Sequence, residues 1–198
     1  MSITVDDQPQ DARELGVRTV GELLDRFSTR ERLVVYVTID GQRPELDELE
    51  YIKSQPLENK VVYIETTRPQ TIAHEVIDEG LKLIEEADRL RGEAVDALHH
   101  NKPADAFKKL GTCFRNWTWT QESVEKLGKL LRLDLEKIQL DNITLTEWLT
   151  QFSMQLNEVR ESLEARDYSR LSDVLAYEAH DASERWKQAL EDMRKTIV

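Results

Sequence analysis

Glu178 breaks the pattern of its surroundings. It falls between Leu171, Leu175, Ala182 and Trp186, which recur at helical spacing and mark a buried stripe. A carboxylate in such a stripe needs a hydrogen bond or a counter-charge, because burying it alone is costly. Two placements fit the spacing. Glu178 sits at the stripe edge and reaches solvent, or it accepts from an indole N–H or from an arginine such as Arg115. Trp117, Trp148 and Trp186 each lie on the apolar stripe of a different expected helix. They are expected as core anchors. With Glu178 and Arg115 they form a candidate buried polar site of structural character; an aromatic ligand pocket is the sharper use of the same indoles.

Other reactive side chains fall into patterns with bland explanations. The histidines are His74, His99, His100 and His180. His99 and His100 stand where cations favour a helix C-terminus. His74 flanks an apolar stripe. His180 shares a helix face with Asp173, Tyr177 and Glu184, a polar surface row. Di-iron bundles require Glu-x-x-His on paired helices, and the chain has none; Asp96 and His99 show the spacing once. Cys113 stands three residues after Leu110 and four before Trp117, which is core spacing for an inert thiol. There is no Gly-x-Ser-x-Gly elbow and no glycine-rich phosphate loop. No catalytic, cofactor-binding or metal-ligating residue is assigned, and the chain is expected not to be an enzyme.

The elements that position these residues are long amphipathic helices. After Arg68-Pro69, four apolar patterns run over about 70–99, 103–132, the stretch opening at Thr144, and 168–196. Pro69 suits a first helical turn. Thr144 and Glu147 form a capping box. Four such helices with short links predict an antiparallel four-helix bundle over 69–198. "LDLEKIQLDN" is expected as a connection with apolar anchors.

The first third has another character. "SITV" reads as a strand entering a turn at Asp6 and Asp7, with residues 10–18 as the returning strand. Thr19 and Glu22 form a capping box for a short helix with Val20, Leu23, Leu24 and Phe27 on one side. "LVVYVTI" reads as a strand ending in an Asp40-Gly41 turn, and "VVYIET" as a second strand. Between them lies a connection anchored by Leu46, Leu49, Ile52 and Leu57, with a turn of helix.

The stretches "ITVDDQP", "TVGELLDRF", "VVYVTIDGQRP" and "PLENKVVYIET" come in an order that resembles the β-grasp, ubiquitin-like sulfur carriers of the thiamine and molybdopterin pathways. The resemblance covers about the first third of the chain. It implies a β-grasp fold over residues 1–68. Carriers of this family end in Gly-Gly, whose carboxylate is adenylated and thiolated. Here "TTRPQT" stands at that place and the chain continues. The resemblance therefore implies the fold without the carrier chemistry.

The fold class expected is α+β: an N-terminal β-grasp domain, residues 1–68, then an antiparallel four-helix bundle, residues 69–198. The formal net charge of −12 weighs against nucleic acid and anionic membranes as partners. One cysteine cannot form an intramolecular disulfide, and "MSITVDDQPQ" lacks the features of a signal peptide, so a cytoplasmic protein is expected. The expected function is a non-enzymatic adaptor or regulatory protein without cofactors, binding a protein partner or itself. The alternatives are an accessory component of a sulfur-transfer or cofactor-assembly system and, third, a ligand-binding bundle.

Overall fold

A computed structural model describes residues 1–140 and 142–197, leaving out the side chain of Leu46. The protein is α+β. It divides into two compact units, Met1–Ile72 and Ala73–Val198.

In the first unit, β1 (Ser2–Val5) turns through Asp6 and Asp7, whose φ angles are 48° and 63°. Two consecutive left-handed residues make a two-residue hairpin turn. Pairing therefore resumes at once, with Val5 opposite Gln8, and β2 is Gln8–Gln10. The returning strand expected over 10–18 is thus displaced. Asp11 caps α1 (Ala12–Leu15) by accepting from the Arg13 amide at 2.7 Å, and Gly16 closes it at φ 70°. An N-cap aspartate followed by a left-handed glycine outweighed strand formation there.

The capping box is present at α2 (Val20–Phe27): the Glu22 amide donates to Thr19 Oγ1 at 3.2 Å, and the Glu22 carboxylate accepts from the Thr19 amide. Val20 and Leu23 are fully buried against the sheet residues Ile3, Val5, Val62 and Ile64. Gly21 allows α2 to approach the connection closely, since a Cβ there would lie 3.0 Å from the Lys53 carbonyl. β3 (Leu33–Ile39) ends in the Asp40-Gly41 turn, both residues at positive φ, with Ile39 bridging Gln42. A 3-10 turn (Leu46–Glu48) and α3 (Leu49–Lys53) lead to β4 (Val61–Thr67). The sheet order is β2-β1-β4-β3; β1 and β4 are parallel and the other neighbours antiparallel. β3 is an edge.

The second unit is helical. α4 (Pro69–His99) begins in the first unit's last residues, and α5 (Pro103–Leu131) follows after a short link. The connection to the next helix is anchored by buried Ile138 and Leu140 and carries a two-stranded hairpin, β5 (Gln139–Leu140) and β6 (Ile143–Thr144); Asp141 lies outside the described residues. β6 delivers Thr144 as the cap of α6 (Leu145–Glu164), with the Thr144–Glu147 capping box formed. The last helical stretch runs unbroken over 168–196, as expected, but it is not uniformly α-helical. α7 (Tyr168–Asp173) passes into a π-helical turn, Val174–Glu178, before α8 (Ala179–Thr196). One core joins residues of all these helices, among them Ile77, Ile84, Leu110, Trp117, Phe152, Leu175 and Trp186. Among the described residues no helix is long and apolar enough to cross a membrane.

Candidate functional site

Three of the four tryptophans of the second unit, Trp117, Trp148 and Trp186, are buried together with Phe152, while Trp119 is exposed. Trp117 and Phe152 stand edge-to-face at 5.6 Å, Phe152 and Trp186 at 5.4 Å, and Trp148 and Trp186 at 6.3 Å. None of the three indole N–H groups has a hydrogen-bond acceptor among the described residues. Glu178 and Arg115 are both exposed, and Arg115 donates to Thr112 Oγ1 at 2.8 Å. The buried site expected from these five residues is therefore not assembled. The π turn is the cause. It spends an extra residue per turn, so Tyr177 and Glu178 swing outward and Ala179 takes the inward place.

The same turn creates the buried polar cluster that the chain does contain. The Ala179 amide donates to the Val174 carbonyl, five residues back. The Leu175 carbonyl thereby loses its usual helical donor. Arg91, 8% exposed on α4, supplies one: its Nη1 donates to Leu175 O at 2.8 Å. Its Nε donates to Asp88 Oδ1 at 2.9 Å, and its Nη2 lies 3.3 Å from His180 Nδ1. His180 Nδ1 is also 3.3 Å from Asp88 Oδ1, so His180 touches this cluster while staying exposed, as do Asp173, Tyr177 and Glu184 of the polar surface row expected for it. Burial pulls the Asp88 carboxyl upward, but hydrogen bonds and charge from Arg91, with His180, outweigh it and hold the group below its ordinary value. Cys113 lies in the field of this pair; burial pushes its thiol up to about 12, which keeps it protonated. The guanidinium thus ties the Asp88 carboxylate and the Leu175 carbonyl together as a clamp.

Arg91 was legible in the sequence. It stands seven residues after Ile84, four after Ala87 and three before Ala94, inside the apolar stripe of α4. It is the polar residue that breaks its stripe and stays buried.

Two features of the first unit bear on binding. At the end of β4, Thr66 is pinned. Asp6 accepts from the Thr66 amide and from Thr66 Oγ1, each at 2.7 Å, and pairs with Arg32. Arg32 Nε donates to Thr66 Oγ1 and its guanidinium lies 5.4 Å over the Phe27 ring. Beside the open edge of β3 runs a groove of about 370 Å³, bounded by α2 and the connection to β4. Leu24, Val34, Val37, Pro44 and Leu49 give it apolar walls, and Asp25, Arg43 and Lys53 stand at its rim. A bulge between Val34 and Tyr36 leaves Val35 43% exposed on the edge strand. Among the described residues, no group of three or more His, Cys, Asp and Glu is arranged to hold a metal ion.

Residues 75–189 match the family model described as a domain of unknown function (DUF8042). The match covers the greater part of the chain and contains Asp88, Arg91, the three buried tryptophans and His180. No curated protein and no solved structure matches the chain.

Proposed function

We propose that this chain, which belongs to the family described as a domain of unknown function (DUF8042), is a non-enzymatic interaction protein, an adaptor or regulatory subunit of the cytoplasm. Its first unit is a β-grasp scaffold and its second an antiparallel four-helix bundle. The strand order β2-β1-β4-β3, with a parallel middle pair and α2 over one face, supports the β-grasp assignment. The open β3 edge beside an apolar groove is the observation that carries the interaction role. Unpaired strand edges and apolar grooves are surfaces that other chains cover. The partner is a protein, not nucleic acid or membrane, since the net charge of −12 repels both phosphates and anionic lipids.

Affinity capture with the full chain from its native cells, followed by hydrogen exchange on the complex, tests this. A stoichiometric protein partner that protects residues of the first unit is the expected outcome. Failure to capture any stoichiometric partner would sink the proposal. An accessory role in sulfur transfer draws support from the same strand order. Recovery of an adenylating enzyme or a sulfurtransferase would favour it. The pinned Thr66 argues against a carrier tail at that place.

A further inference from the structure

We infer that the groove between α2 and β3 receives an extended, basic segment of a partner protein, which adds as a further strand on the Leu33–Ile39 edge. This rests on the interaction role proposed above and names the chemistry of the partner.

β3 pairs with β4 on one side only, so alternate backbone groups along its other side are available to a new strand. Such a strand would turn every second side chain toward the groove, where Leu24, Val34, Val37, Pro44 and Leu49 offer apolar walls. Charge then selects the occupant. The connection that forms one wall, residues 43–53, carries Glu45, Asp47, Glu48 and Glu50 against Arg43 and Lys53. Lys53 is spent on Glu50 at 2.8 Å, and Arg43 lies 5.4 Å over the Tyr36 ring. Glu45, Asp47 and Glu48 are exposed and have no ion pair among the described residues. Asp25 stands at the opposite rim on α2. With Asp25, the carboxylates of Glu45, Asp47, Glu48 and Glu50 outnumber Arg43 and Lys53 around the groove, a negative balance that favours lysine or arginine on an added strand. A second copy of this chain would bring the same carboxylates to the same edge and repel.

The test uses the full chain and three labelled ten-residue peptides. All share an alternating Val/Ile/Thr frame; the polar positions carry lysine, glutamate or serine. Fluorescence anisotropy at low salt gives the affinities, and amide chemical shifts locate the binding. The lysine peptide is expected to bind at least about tenfold more tightly than the glutamate peptide. Its shifts should fall on Leu33–Ile39 and on α2, and its affinity should drop with added salt. Val35→Lys, at an exposed edge position, should weaken it about tenfold. The triple charge reversal Glu45→Lys, Asp47→Lys, Glu48→Lys should invert the preference toward the glutamate peptide. Equal affinities, a preference for glutamate in the parent chain, shifts outside the groove, or no binding of any peptide would each overturn the inference. A captured partner that binds Val35→Lys as well as the parent would overturn it too, while leaving the interaction role standing. Capture of no partner would remove that role itself.

Discussion

Arg91 Nη1 donates to the main-chain carbonyl of Leu175 at 2.8 Å, across 84 residues of sequence. The bond exists because a π turn leaves that carbonyl without its helical donor, and it joins α4 to the chain leading into α8. Removing the arginine takes the guanidinium donor from the half-buried Asp88 and from the Leu175 carbonyl. Arg91→Ala should therefore cost about 3 kcal/mol, in the range for breaking a buried ion pair. Arg91→Lys should recover part of this, because one ammonium cannot reach both acceptors with fork geometry. Urea unfolding measures both, and a midpoint for Arg91→Ala equal to that of the parent would disprove the clamp.

Glu178 should behave as a surface residue. Glu178→Ala and Glu178→Gln are each expected to change stability by no more than ~0.5 kcal/mol. Three coincident urea curves are the expected result. A clear loss for Glu178→Ala would mean that the carboxylate has a buried partner after all.

Asp88 predicts an acid limb in the stability profile. Its folded-state pKa lies below its ordinary value, so the native state binds its proton less readily than the unfolded chain does. The stabilisation is present above the unfolded value, about 3.9, and is lost as pH falls through the folded value. Asp88→Asn removes this titrating carboxyl. Stabilities of parent and variant should differ most near neutral pH and converge as the solution is acidified below pH 4. Parallel profiles across that window would show that Asp88 is not the titrating group.

The buried residues of the two units form separate clusters with no shared member. Residues 69–198 alone should therefore keep helical circular dichroism and melt cooperatively. A broad, non-cooperative loss of signal would show that the helical core needs residues from the first unit.

Local rules were most legible where a single turn or cap decides the outcome. Thr19 with Glu22, Thr144 with Glu147, and Asp40-Gly41 all form as their side chains and backbone preferences dictate. Where two local signals compete, reading is harder. Asp11 and Gly16 bracket a four-residue helix where the hairpin before it calls for a returning strand. The hairpin β5–β6 has only two residues per strand, too few for periodicity to register. The largest difference lies in α7 and α8. A 3.6-residue period carried unbroken through Val174–Glu178 places Glu178 inside; the widened turn places Ala179 there. Nothing in the side chains of "VLAYE" signals a π turn. Its visible counterpart was on another helix, in a buried arginine whose third hydrogen bond needed an acceptor.

The π turn also bears on how the chain tolerates a change of length. A π turn holds one residue more than the α-helical path requires. Removing one residue from Val174–Glu178 would let the segment close into an ordinary α-helix while Ala182, Trp186 and Leu190 keep their inward places. The Leu175 carbonyl would return to the helical ladder, and Arg91 would become surplus. In a family member one residue shorter at this place, the position of Arg91 should be free to become apolar, so that the gap and the loss of the arginine travel together.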